Sequence, residues 1–281
     1  SRRRFLEDSM WAAAATVVAG RGSLSFGAEV EHGKKVGPND QIRIACIGFH
    51  GQGRSHIGAY ADMNDVTIAA LCDVDPSLFP GAVEIVTKKD KKAPKCVKDF
   101  REILDDKSID AISTATPNHW HSLISIWAMQ AGKDVYVEKP ASHNVMEGRR
   151  MVEVARKNGR ICQIGTQCRS QKGSIDAIKY IFDGKIGKVT VARGLCYKRR
   201  DSIGKVDGDQ PVPEGIDYNL WLGPAPMKPV HRKKFHYDWH WFWDYGNGDL
   251  GNQGIHQMDI ARWGLKKDCL PNSVIGLGGR F

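Results

Sequence analysis

The sequence predicts an α/β protein in which a parallel sheet, covered by helices on both faces, is followed by a second domain of different build. Three observations carry this. Short apolar runs alternate with amphipathic segments from residue 41 to 165. A glycine turn, GFHGQG at 48–53, joins the first run to the first helix. After residue 165 the rhythm stops and a long Pro/Gly-rich stretch runs to about 235. Alternating strands and helices of this length build βαβ units, which place strands in parallel.

Taken in order, QIRIACI (41–47) reads as a strand, 53–63 as a helix and VTIAALC (66–72) as a strand. Residues 76–88 and DFREILDD (99–106) read as helices, and IDAISTAT (109–116) as a strand. Residues 119–131 have the helical spacing of Leu123, Ile124, Trp127 and Ala128; DVYVE (134–138) is a strand, 145–158 a helix and ICQIG (161–165) a strand. Beyond it, VTVARGLCY (189–197) reads as a strand of a second sheet, antiparallel or mixed. FHYDWHWFWDY (235–245) alternates, with Tyr237, Trp239, Trp241, Trp243 and Tyr245 on one side. It is expected to be a half-buried strand whose aromatic side is core or a platform for a sugar ring.

With 281 residues, 41% of them hydrophobic, the chain can fill about two domains. Its 41 Lys+Arg against 32 Asp+Glu give a net charge of +9. The basic runs KKDKKAPK (88–95), KRR (198–200) and HRKK (231–234) have no helix-turn-helix, RRM or zinc-finger pattern around them. They read as solvated surface, so no nucleic-acid partner is expected. Seven cysteines without a CxxC exclude a disulfide framework and a zinc ribbon. The first residues, with Arg2, Arg3, Phe5 and Leu6 before the apolar stretch Met10 to Gly20, resemble a twin-arginine export signal. That stretch falls short of the roughly 20 residues a membrane span needs. Residues 1–40 are therefore read as signal and linker, and the protein as periplasmic or extracellular, without stable membrane insertion. That route exports folded proteins, so a cytoplasmic cofactor can be loaded first. The chain begins without Met and stops at NSVIGLGGRF, which is read as truncation of a longer C-terminal region.

The glycine turn has the form of a dinucleotide loop. If its pattern is GxGxxG, Gly48 and Gly53 are the first and third glycines, and His50, followed by Gly51, fills the second place. Asp73 ends the second strand 20 residues after Gly53. An acid there can bond both ribose hydroxyls and repel a 2′-phosphate, favouring NAD over NADP. TPNHWH (116–121) and Lys139, followed by Pro140, lie at the carboxyl ends of the next strands, where ligands of open parallel sheets bind. His119 and His121 form HxH, but a metal-dependent hydrolase barrel needs eight strand–helix units and this chain has too few. No metal is expected.

The loop IGFHGQG, CDVDP (72–76), TPNHWH and EKP (138–140) together resemble the Gfo/Idh/MocA oxidoreductases, over residues 41–281. The resemblance implies a Rossmann NAD(P)-binding domain at 41–165 and, at 166–281, a substrate and oligomerisation domain with a large, mostly antiparallel sheet, incomplete here. It implies homo-oligomers and chemistry on carbohydrates or polyols. It assigns Gly48, His50, Gly51, Gly53, Asp73, Thr116, Asn118, His121, Glu138 and Lys139 to the cofactor, and Lys139 also to catalysis. The family's DxxxH falls on GNGDLGNQGIHQMD (246–259), placing His256 on the histidine and Asn252 where the aspartate stands. One α-helical turn separates the two, and Asp259 is a candidate to charge-pair His256. Gln167, Arg169, Arg199, His240 and Trp241 are the expected substrate contacts. Three functions follow as alternatives. One is an NAD-dependent oxidoreductase taking hydride from a secondary alcohol. Another is a redox-neutral enzyme that cleaves or epimerises a glycoside through a keto-sugar. The last is a non-catalytic sugar- and NAD-binding protein.

Overall fold

The computed structural model describes residues 41–197 and 200–278; the export-signal reading of 1–40 and Arg199 lie outside them. Among the described residues six strands form one sheet: β1 (Ile42–Ile47), β2 (Val66–Cys72), β3 (Lys95–Val97), β4 (Ala111–Thr114), β5 (Asp134–Glu138) and β6 (Cys162–Gly165). Their spatial order is β3-β2-β1-β4-β5-β6, with every pairing parallel. The order reverses between β1 and β4, which opens a crevice at their carboxyl ends.

Helices α1 (Gln52–Asp62) and α2 (Phe79–Thr87) cover one face; α3 (Arg101–Asp105), α4 (Asn118–Gln130) and α5 (Val145–Asn158) cover the other. The two-residue period of β1 explains the split. Ile44 and Cys46 pack with Ile57, Ala61, Ala82 and Val86, whereas Ala45 and Ile47 pack with Ile103, Ile124, Met129 and Met151. Covered on both sides, β4 is buried along its whole length. The strand β3 escapes a periodicity reading because it has three residues and begins at the last residue of the basic run at 88–95.

Residues 201–252 belong to the same compact unit as the sheet. They carry α7 (Tyr218–Leu222) and a buried aromatic cluster of Trp221, Phe235, Trp239 and Tyr245. The strand expected at 235–245 does not form. Asp238, buried, closes a turn by accepting from Lys234 N at 2.9 Å, and Asp238–Trp241 wind as a 3-10 turn. A carboxylate that bonds the nearby backbone competes with a ladder. The alternation of faces fails with it: Tyr245 is 2% exposed and Trp243 is 92% exposed. The basic run at 231–234 is also not uniformly solvated. Arg232 is buried, with its guanidinium 4.4 Å from the Trp221 ring centre and 4.3 Å from that of Phe235, and it donates to Phe235 O at 2.9 Å.

The second unit contains 166–200 and 253 onward. A 3-10 turn (Gln167–Ser170), α6 (Lys172–Phe182) and α8 (Ile255–Gly264) pack together. The strand expected at 189–197 does not form, and Val191, Leu195 and Tyr197 are exposed. Among the described residues no antiparallel sheet forms, because no segment supplies that chain with a ladder partner. An isolated antiparallel bridge, Gln210 to Val230, lies in the first unit.

Candidate cofactor and active site

The glycine loop is set by two close approaches. Gly48 has φ +75°, donates its N–H to Cys72 O at 2.8 Å, and lies so near Thr116 that a Cβ would sit 2.7 Å from Thr116 Cγ2. A Cβ on Gly53 would lie 2.1 Å from Gly48 O. These two glycines bring α1 and the end of β4 against the turn. Gly51 differs, since a Cβ there meets no atom within 4 Å. Behind it, α1 starts without a side-chain cap and without an acidic residue in its first turn. Uncapped N–H groups at the positive end of a helix suit a phosphate.

Asp73 holds the other side of the loop. Its Oδ2 accepts from Phe49 N at 2.9 Å and its Oδ1 from Asp75 N at 3.1 Å. Burial pushes its pKa up, against the pull of those two N–H groups and of His50. Each carboxylate oxygen can accept a second bond, so the side chain suits ribose hydroxyls. His50, which fills the pattern's second glycine place, is exposed and stacks on His236 with ring centres 4.2 Å apart and planes 9° from parallel. His236 Nε2 is 3.1 Å from Asp75 Oδ2. Open space at Gly51, an uncapped helix and an acid at the end of β2 fit a dinucleotide.

TPNHWH forms the start of α4 and ties it to neighbouring segments. Asn118 Nδ2 donates to Asn247 Oδ1 at 2.9 Å, and Asn247 Nδ2 to His143 O at 2.8 Å. His121 is buried between two carbonyls, with Nε2 2.8 Å from Thr116 O and Nδ1 2.6 Å from Pro140 O. His119 Nε2 lies 3.0 Å from Trp221 O, which joins α4 to the aromatic cluster, and its Nδ1 has no hydrogen-bond partner. Both rings of HxH thus face carbonyls, and among the described residues no group of three His, Cys, Asp or Glu could hold a metal ion.

Burial pushes His119 down from 6.5 to about 4. The unfolded chain then binds the extra proton first, so stability present above pH 6.5 is lost as pH falls toward 4. At 1.36 kcal/mol per unit this amounts to about 3 kcal/mol. Melting curves at pH 7 and pH 4.5 are expected to show this loss, and His119→Gln, which keeps a donor for Trp221 O, is expected to reduce it.

The EKP segment sits at the end of β5. Glu138 is buried; its Oε1 is 3.1 Å from His56 Nε2 and its Oε2 accepts from Lys139 N at 3.2 Å. His56 Nδ1 in turn is 2.9 Å from Ser113 Oγ. Sequence reading missed His56, although it lies three residues beyond the glycine loop. Lys139 Nζ donates to Asn252 O at 2.7 Å and to Asn252 Oδ1 at 3.4 Å. The structure therefore brings two expected site residues together. Asn252 lies in a π-helical turn (Leu250–Gly254), so the α-helical spacing assumed from 252 to 256 does not hold; α8 begins at Ile255. Such turns recur at functional sites.

The other expected contacts are divided between the two units. In the first unit, His240 stacks on Trp239 at 3.7 Å with its Nδ1 2.6 Å from Tyr237 O, and Trp241 is half-buried beside it. In the second unit, Gln167 is exposed at the start of the 3-10 turn. Arg169 forks onto Asp259 through Nε at 2.7 Å and Nη2 at 2.8 Å and lies over Trp263. That fork engages Asp259, the candidate charge partner of His256, and turns Arg169 onto the protein's own carboxylate. His256 Nδ1 is 3.7 Å from Cys168 Sγ.

The family model of Gfo/Idh/MocA oxidoreductases, with an NAD-binding Rossmann fold, matches residues 42–166, and the model of its C-terminal alpha/beta domain matches 177–275. The chain belongs to the Gfo/Idh/MocA oxidoreductase family. The parallel sheet and glycine loop of the first unit fit that NAD-binding Rossmann fold. A Glycosyl hydrolase family 109 protein from Saccharopolyspora erythraea is 29% identical over 207 residues, covering 69% of this chain and 45% of that protein. One from Shewanella pealeana is 24% identical over 202 residues, covering 67% and 44%. The chain spans less than half the length of these curated relatives. The solved structure of the WlbA dehydrogenase from Chromobacterium violaceum, in complex with NADH and UDP-GlcNAcA, shares the fold with a TM-score of 0.58 at 20% identity, over 80% of this chain and 55% of that one.

Proposed function

We propose that the chain is the cofactor-binding and catalytic part of an NAD-dependent oxidoreductase acting on a secondary alcohol of a sugar or polyol. The observation that carries this is the placement of Lys139. Its ammonium ends β5, the strand beside the β1–β4 crevice, and Asn252 fixes where it sits. NAD, when bound, supplies the acceptor for the hydrogen on the carbinol carbon. The uncapped start of α1 would hold its pyrophosphate and Asp73 its ribose. Lys139 would donate to the reacting oxygen and stabilise charge that develops there. His256 is assigned the hydroxyl proton by the family pattern. Lys139→Ala tests the reading through turnover and NAD affinity measured together.

Asp73 supports NAD over NADP. Asp73→Ala is expected to weaken NAD binding about tenfold, the loss of about 1.4 kcal/mol of hydrogen bonding, and to narrow the preference for NAD over NADP. Parallel titrations with the two dinucleotides check this.

A second reading rests on the Glycosyl hydrolase family 109 relatives. Their names favour net glycoside cleavage; on an NAD site this reaction would run through a keto-sugar and return the cofactor to its starting state. Turnover of glycosides without added NAD, by protein that purifies with NAD bound, is the expected result of that reading; strict dependence on added NAD supports the first.

A further inference from the structure

The Cys168 thiol and the His256 imidazole line one cleft of about 300 Å³ in the second unit, together with Arg193, Gly194 and Gln257. Their contact, 3.7 Å from Sγ to Nδ1, joins the 3-10 turn at 167–170 to the first turn of α8. The walls of this cleft are tightly set. A Cβ on Gly194 would lie 2.9 Å from the carbonyl carbon and oxygen of Gln257, so the 193–195 segment packs directly on the backbone that follows His256. Cys168 is half-buried, and so is His256. Asp259, which the sequence offered as the charge partner of His256, is engaged by both forks of Arg169.

We propose that Cys168 is a positioning residue for His256: Nδ1–H donates to Sγ, which fixes the tautomer whose bare nitrogen is Nε2. The hydrogen bond made by one ring nitrogen decides which nitrogen is basic. This rests on the reading that His256 takes the hydroxyl proton. In that step the substrate O–H bond breaks, the proton moves to Nε2, and the resulting imidazolium keeps its Nδ1–H on Sγ; the oxidant is the NAD of the proposed reaction. Sulfur is a weak but polarisable acceptor, so it sets the ring's orientation and tautomer without the full charge of a carboxylate. Asn252, in the aspartate place of the family pattern, has its amide oxygen on Lys139.

The tautomer is read directly from long-range ¹H–¹⁵N correlation of the full chain at pH 8, above the usual imidazole range of about 6.5. The expected result is a protonated Nδ1 and a bare Nε2 for His256, reversed to Nε2–H in Cys168→Ala and retained in Cys168→Ser, whose hydroxyl also accepts. With a turned-over sugar, Cys168→Ala is expected to lower kcat about tenfold with KM within about twofold, and Cys168→Ser to restore most of it. A wild-type His256 protonated on Nε2, or a tautomer unchanged in Cys168→Ala, overturns the proposal. The spectrum needs no substrate, so the absence of turnover in the wild type overturns the oxidoreductase reading and leaves the Cys168–His256 pair to be judged by its tautomer.

Discussion

Gly53→Ala is expected to destabilise the chain by about 3 kcal/mol and to abolish tight NAD binding. The added Cβ falls 2.1 Å from Gly48 O and 3.1 Å from Phe49 Cβ, and the first of these is backbone that cannot rotate away. Relief requires the first turn of α1 to retreat from the loop. Overpacking of this kind costs roughly 1–3 kcal/mol, and more where backbone is the obstacle. For a chain of this size that is a fall of about 6–12 °C in melting temperature. The same retreat withdraws the N–H groups that would hold a pyrophosphate. Gly51→Ala is the control, because its Cβ meets no protein atom within 4 Å. Its stability is expected to stay within about 0.5 kcal/mol of wild type, as for an open surface site, while NAD affinity falls. Thermal melts paired with NAD titrations separate the two glycines, one serving fold and cofactor and the other cofactor alone. Equal loss of stability in both variants would contradict that division.

Lys139→Ala is expected to lower turnover by about 10²–10³-fold, the scale of removing one donor aimed at developing charge, with NAD affinity within about threefold of wild type. The side chain lies at the end of β5, and β4 stands between that strand and β1, which leads into the glycine loop. The phosphate and ribose groups proposed for NAD are held elsewhere, by the loop and Asp73, so affinity and rate are expected to part company. Initial rates with saturating NAD and an independent binding titration measure the two effects. A variant that keeps near-normal turnover removes Lys139 from the chemistry.

The first unit was legible because its signals are local and repeated. The alternation of faces in β1, the buried run of β4 and the glycine turn each need a few neighbouring residues. Asp73 and Lys139 were legible for a related reason: a residue ending a parallel strand has only one place to be. The aromatic stretch at 235–245 misled because alternation there comes from composition, while Asp238 closes a turn that no periodicity reports. Arg232 misled in the same way, a cation inside a basic run that the fold buries among rings. The His50–His236 stack and the Cys168–His256 contact join residues 186 and 88 positions apart, and only tertiary structure brings such pairs together. His50 sits in the second glycine place with its ring laid on His236, so the loop tolerates the side chain by directing it onto a partner. The segment 189–197 has strand composition but no partner, and strand composition alone does not make a ladder.

Isothermal titration of the purified chain with NAD tests the central claim, a dinucleotide site built on Gly48–Gly53 and Asp73, most directly. The account predicts saturable binding of one NAD per chain, weakened in Gly51→Ala and Asp73→Ala. No saturable binding by folded wild-type chain, shown free of co-purified dinucleotide, or binding unchanged in both variants, would contradict it.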